Sequence, residues 1–314
     1  MPIQFARLDY VKNHAQIPVH FNVVKQNPED NLNWYIDKYN PLAISECAIA
    51  GELGVKVLLP VTQSEAVADA ERTRKIIMRA ISSLRDSGVE IIIPPENIQL
   101  KHTAGMYIAD GTHLLPFLLC GAIKKWAEST KRLLRRFEAV VVHNSLPQTE
   151  CVLYHICEDL NFVTVMDMRD DRERLLNTAD RIFDDTGLNV VIRGTNKAAL
   201  KTADIVVLTA NDDFDNAYKR GALIFDLSGD VVRRKTLISR RPDIYVVDSL
   251  IANYKNSGIS LPLFELALYA KERNFRQILA KGYNSENGGA LSRAIGRMGL
   301  SVFSLTQLGK VVRF

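Results

Sequence analysis

The chain has 314 residues, 47% hydrophobic and 24% charged, a mixture that builds an ordinary folded interior and one large domain or two. Its formal charge of +4, from 40 basic and 36 acidic residues, is too small to point to nucleic acid. No apolar run reaches the ~18 residues a membrane span requires, and the opening residues lack the apolar core of a secretory signal, so a cytoplasmic location without a membrane span is expected.

In chain order, residues 55–60 (VKVLLP) and 89–93 (VEIII) read as strands. Between them, 64–87 carries Ala66, Ala70, Ile76, Ile77, Ala80 and Leu84 at the spacing of one helical face. Pro94-Pro95 closes this unit. Residues 114–137 read as a long helix, with Pro116 in the first turn, where proline is tolerated. A regular rhythm follows. Strand 139–142 (AVVV) leads to helix 150–160, then strand 162–166 (FVTVM) ends in Asp167. Helix 171–184 sets Leu175, Ala179 and Ile182 on one face. Strands at 188–192, 203–208, 222–227 and 244–247 complete six. A helix over 262–279, a turn at Asn287-Gly288-Gly289, a further helix and a short strand at 302–305 end the chain.

Short apolar runs separated by helical segments are how a parallel sheet buried on both faces looks in sequence. The fold class expected is α/β: a doubly wound, Rossmann-like parallel sheet preceded by a smaller α/β domain. The boundaries expected are 1–120 for an N-terminal substrate domain, 121–260 for the Rossmann-like domain, and 261–314 for a C-terminal helical extension that folds back.

In such a domain the first strand, a glycine turn and a helix start cradle a pyrophosphate. Here the turn reads His143-Asn144-Ser145-Leu146-Pro147-Gln148. Laid over G-x-G-x-x-G, the glycines become His143, Ser145 and Gln148. Serine adds a Cβ where the backbone must approach phosphate, and glutamine at the third position is expected to push helix and strand apart. The topology is present and the phosphate chemistry is degraded. Asp167 stands where an acid would hold a ribose diol, against the plainer role of capping the next helix. Arg169, Arg172 and Arg174 follow, able to meet a 2′-phosphate or simply to line a solvated face. Thr209 and Asn211 come after the fourth strand, where a ligand crevice opens. NAD or NADP is therefore the cofactor expected.

Two resemblances add to this. Ala109-Asp110-Gly111, followed by a helix into the sheet, resembles the Asn-Thr-Asp-Gly turn of shikimate and quinate dehydrogenases. That resemblance implies proton transfer at a substrate hydroxyl by Asp110 with Lys101; His113, beside the turn, is a second acid–base candidate. The stretch from Ile224-Phe225-Asp226-Leu227 through RPDIYVVDSL to SLPLFELALYAKE resembles long-chain acyl-carrier-protein reductases and related predicted amino-acid dehydrogenases. Glu265 matches their helix glutamate. Their nucleophilic cysteine falls on Pro262, which excludes thioester chemistry there.

Other constellations have plain readings. Cys47, Cys120, Cys151 and Cys157 show neither CxxC nor zinc-ligand spacing, so reduced thiols are expected. Cys151 and His155 share a helix face without a third ligand, so no metal site is expected. The basic segments 124–136 and 233–241 read as solvated faces, with a phosphate, an acidic carrier protein or a membrane surface as alternatives. The function expected is an NAD(P)-dependent oxidoreductase-like protein acting on a small hydroxyl or carbonyl substrate in an interdomain cleft. The alternative is an inactive Rossmann-like binding or complex-forming subunit. The partner is accordingly a small-molecule substrate or a protein, a homodimer being one option, and no nucleic acid.

Overall fold

The computed structural model describes residues 5–18, 28–49, 51–95, 98, 100, 105–144, 146–157, 159–195, 197–209, 214, 217–254, 257–280, 295 and 301–313, with backbone alone at 28–31, 146–147 and 278–280. Two compact units emerge, residues 1–110 with 265–270 and residues 111–264 with 271–314.

The first unit runs β1 (Phe5–Val11), α1 (Pro28–Tyr39), β2 (Ala43–Ile49), β3 (Glu52–Thr62), α2 (Gln63–Ala68), α3 (Ala70–Asp86), β4 (Ile91–Ile93) and β5 (Tyr107–Ile108). Its five-stranded sheet has the order β2-β3-β1-β4-β5. β1 is parallel to β3 and β4, and β2 pairs antiparallel with β3. β1 lies where no continuous apolar run marks a strand. Its sequence alternates: Ala6 and Leu8 are buried, whereas Arg7 and Asp9 are half-exposed. The buried face packs on Ile76, Ile77, Ala80, Ile81 and Leu84 of α3, each fully buried large aliphatic contributing ~1.5–3 kcal/mol.

The spacing over 64–87 predicts one helix, and the structure has two. Asp69 leaves helical geometry (φ −132°, ψ 82°) and accepts the Arg72 amide to cap α3. Thr62 and Glu65 form a capping box that starts α2. At Gly54, a Cβ would lie 2.5 Å from both the ring and the main-chain oxygen of Phe5, so β3 needs glycine to lie this close to β1.

The second unit contains α4 (Leu115–Thr130), β6 (Glu138–His143), α5 (Leu146–Ile156), β7 (Phe162–Asp167), α6 (Arg172–Thr186), β8 (Val190–Arg193), α7 (Lys197–Thr202), β9 (Ile205–Leu208), β10 (Leu223–Asp226), α8 (Val231–Arg240), β11 (Tyr245–Val247), β12 (Ser249–Tyr254), β13 (Ser257–Ser260), α9 (Leu261–Lys271), α10 (Arg273–Ala280), β14 (Ser301–Gln307) and β15 (Lys310–Val311). The residues of α9 are divided between the two units. β6 to β11 form an all-parallel sheet in the order β11-β10-β9-β6-β7-β8. Counted from β6 as the first strand, this is the doubly wound Rossmann order. Both faces are closed: Val140, Val142, Val206 and Ile224 share a core with Leu200 of α7 and Leu237 of α8, while Val141, Val207 and Phe225 on the other face are equally buried.

The helix expected over 114–137 stops at Thr130. Lys131 takes the left-handed conformation (φ 53°), and the Arg132 amide bonds Ala127 O at 3.0 Å. The helix expected over 262–279 is two helices, with Glu272 between α9 and α10. The turn at Asn287-Gly288-Gly289 lies outside the described residues. The expected strand at 302–305 is the middle of β14, in an antiparallel sheet of order β13-β12-β14-β15.

A buried ionic bridge ties this small sheet to the parallel one. Arg234 of α8 is 7% exposed and lies 2.8 Å from Asp226 at the end of β10 and 2.8 Å from Asp248, which also accepts the Leu308 amide. Burial pushes the Asp248 carboxyl above its ordinary range, against the pull of Arg234. Removing the cation would strand two buried carboxylates. Arg234→Ala is expected to cost about 3–5 kcal/mol in urea unfolding; a loss below about 1 kcal/mol would show the bridge to be dispensable.

Candidate functional site

In a doubly wound sheet, ligands lie beyond the carboxyl ends of the strands, where the strand order reverses. Here that point falls between β6 and β9. The residues just past the ends of β6, β7 and β9 are bonded to one another. The Thr209 hydroxyl donates to Val142 O at 2.7 Å and accepts the Asn144 amide at 3.1 Å, which closes the switch point. Asn144 Oδ1 accepts Arg169 Nε at 2.6 Å, joining the β6 loop to the β7 loop. Asp167, 8% exposed, accepts the Arg169 amide at 2.9 Å and so shapes the turn after β7.

His143 ends β6 and is fully buried. Its Nδ1 lies 2.9 Å from the Thr149 hydroxyl and its Nε2 lies 3.3 Å from Asp171 Oδ2. The ring sits where the first glycine of a phosphate turn would be, and it bonds inward. Gln148 does not wedge helix from strand: it is half-buried, and the adjacent Thr149 faces β6 instead. A step of 100° around a helix separates the two side chains, so the short residue takes the contact. Sequence patterning gave no sign of Thr149 or Asp171, because each matters only through the His143 ring.

Among the sequence-derived residues, His143, Asn144, Asp167, Arg169 and Thr209 thus come together, and the backbone of Gln148 lies in the first turn of α5. Ser145, Asn211 and Lys101 lie outside the described residues. Asp110 and His113 are partly buried on either side of Gly111, whose φ of 84° suits glycine and where a Cβ would meet Leu261 at 2.6 Å.

One constellation in the first unit joins Glu265, which the sequence resemblance singled out, to two tyrosines that it did not. Tyr107 donates to the fully buried carboxylate of Glu265 and stacks on Tyr269 with ring centroids 4.4 Å apart. Burial, followed by the charge of Glu265, pushes the Tyr107 phenol well above its ordinary range, and Asp110 adds to the effect.

Cys151 and His155 are packing residues. Cys151 is 3% exposed, and the His155 ring meets Phe117 edge-on at 4.8 Å. Among the described residues no cluster could hold a metal ion, and no helix is long and apolar enough to cross a membrane. The basic segments are partly paired: the exposed Lys124 and Arg132 pair with Asp159 and Asp204, and Arg234 is buried.

The strand order and the acid-terminated second strand define a Rossmann-type domain. No protein-family model and no curated protein matches the chain. Among solved structures it is similar to quinate dehydrogenase from Corynebacterium glutamicum in complex with NAD (TM-score 0.37, 10% identity, 94% of this chain and 99% of that one). It is also similar to shikimate 5-dehydrogenase from Listeria monocytogenes in complex with shikimate and NAD (0.36, 7%, 92% and 96%). A third is Δ(1)-pyrroline-2-carboxylate reductase from Thermococcus litoralis in complex with NADH and L-proline (0.34, 11%, 58% and 70%). The strand order of this chain, rather than these likenesses, defines its fold.

Two consequences are measurable. His143→Ala should cost about 2 kcal/mol in urea unfolding, since it leaves the Thr149 hydroxyl without its buried partner; an unchanged midpoint would mean that the ring holds nothing. Burial lowers the His155 pKa to about 4 from 6.5. The unfolded chain therefore takes up this proton first as pH falls. The stability associated with neutral His155 is complete above about pH 6.5 and is lost as pH drops toward about 4. His155→Leu should flatten that part of the stability–pH curve; an identical curve would remove His155 as its source.

Proposed function

We propose that this chain binds a nicotinamide dinucleotide at the carboxyl edge of its six-stranded sheet and is an oxidoreductase-like protein acting on a small hydroxyl or carbonyl substrate. The observation that carries this reading is the end of β7. Asp167 closes the second strand of a Rossmann-ordered sheet, and beside it the Arg169 guanidinium is held by Asn144 across the neighbouring loop.

The residues fit the group at one end. Asp167 offers a carboxylate for a ribose diol, and the exposed Arg169 offers charge to a 2′-phosphate. At the pyrophosphate end, Ser145 and the Gln148 amide would face phosphate, with Thr209 and Asn211 along the next loop. When bound, the dinucleotide supplies hydride chemistry. Asp110 is assigned the proton at the substrate oxygen, with Lys101 or His113 as its partner.

A second reading has its own support. The Asn144 amide is already taken by Thr209, His143 bonds inward, and Pro147 contributes no amide to the first turn of α5. These features fit a Rossmann domain that serves as a binding or complex-forming subunit.

Calorimetry with NAD, NADH, NADP and NADPH separates the two. At a hundredfold excess over the dissociation constant a bound ligand adds ~2.7 kcal/mol of apparent stability. Binding that weakens roughly tenfold or more in Asp167→Ala supports the dinucleotide site, and a selective loss of NADP in Arg169→Ala assigns the 2′-phosphate. Absence of binding by all four at millimolar concentration favours the subunit reading.

A further inference from the structure

The central strand of a parallel sheet is ordinarily apolar on both faces, since helices cover both. β1 is the middle strand of the first unit's sheet and is paired on both edges. One of its faces obeys the rule: Ala6 and Leu8 of β1, with Val57 and Leu59 of β3, are wholly buried. The other face begins the same way, with Phe5 and Ile91 buried side by side. It then changes character. Arg7 stands in register with Lys56 on β3, and Asp9 follows on the same face of β1. Arg7, Asp9 and Lys56 keep 41%, 24% and 44% of their side chains in solvent.

The three form one cluster. Asp9 Oδ1 lies 3.2 Å from Arg7 Nε, and its Oδ2 lies 3.3 Å from Lys56 Nζ, so a carboxylate is already clamped between two cations. One positive charge is left over. Among the described residues the two terminal nitrogens of Arg7 donate to nothing, and they form the edge of the guanidinium that meets a planar carboxylate with two parallel hydrogen bonds. Cys47 of β2, opposite Gly54, lies close enough to sense the charges of Arg7, Lys56 and Asp9. The buried ring of Phe5 lies against Gly54 on the same face.

We infer that this open face of the five-stranded sheet binds a small molecule through a carboxylate, held by the terminal edge of Arg7 and by Lys56 beside Asp9. Asp9 sets the strength of the site: it orients both cations and competes with the ligand for them. The site belongs to the first unit alone and does not depend on the dinucleotide reading, so either can fail while the other stands.

Cys47 provides the readout. Burial pushes its thiol above the ordinary range, while Arg7 and Lys56 pull it down. An anion that occupies both cations shields the thiol and cancels that pull, so both effects slow alkylation. The experiment follows iodoacetamide labelling of Cys47 in the full-length chain by peptide mass spectrometry, without dinucleotide. Acetate and succinate are the probes, with inorganic phosphate, and with sodium chloride at matched ionic strength, as separate arms. Saturable slowing by the carboxylates, beyond the chloride arm, is expected. It should weaken roughly tenfold or more in Arg7→Gln and in Lys56→Gln, and strengthen severalfold in Asp9→Asn, which removes the competing carboxylate. A purely structural role for the ion pairs would not produce that opposite sign. Slowing by phosphate alone, equal slowing in all arms, or protection unchanged in Arg7→Gln would overturn the inference.

Discussion

A parallel strand buried on both faces has no place along its length for an unpaired polar side chain, so polar chemistry collects at the strand ends. The central strands of the six-stranded sheet follow this. The interiors of β6, β9 and β10 are aliphatic or aromatic throughout, whereas His143, Thr209 and Asp226 stand at or just past their carboxyl ends, and Asp204 stands just before β9. Each finds a partner there. Asp204 takes Arg132, Lys219 and the Glu138 amide, Asp226 takes Arg234 and Ser228, and His143 takes Thr149 and Asp171. The strand order decides which of these ends become neighbours, and with that it decides where a site can form.

At the switch point this produces a turn that differs in kind from a glycine turn. A glycine turn leaves its amides and the space beside them for phosphate. Here the fully buried imidazole of His143 bonds Thr149 and Asp171, and the Thr209 hydroxyl occupies the Asn144 amide. In the loop after β7 the Asp167 carboxylate is fixed by its own turn, and the exposed Arg169 is anchored through one nitrogen.

The first unit shows the same logic with a different result. Its sheet has one closed face and one that is only partly closed, so charge appears in the middle of a central strand as well as at strand ends. Glu265 is the extreme case, a wholly buried carboxylate held by the Tyr107 phenol. A carboxylate buried this deeply costs several kcal/mol unless hydrogen-bonded, so Tyr107 and Glu265 constrain each other.

The sequence by itself determined the six parallel strands, the two helices that flank the second of them and the position of Asp167, because a largely apolar strand run is a local signal, whereas α7 and α8 were not foreseen. It determined equally that the phosphate turn lacks glycine. It did not reveal β1, whose apolar–polar alternation marks a strand with one closed face rather than a run. Nor did it reveal the helix breaks at Asp69 and Lys131, where one residue's backbone conformation overrides a continuing helical pattern. Only the tertiary structure decided that Thr149 rather than Gln148 meets His143, that Arg234 bridges two acids, and that Tyr107 reaches Glu265 across 158 positions of chain. Hydrophobic periodicity records which side of an element is buried. It carries no record of which distant side chain will share that burial, since partner choice is settled by the strand order and the packing that brings the elements together.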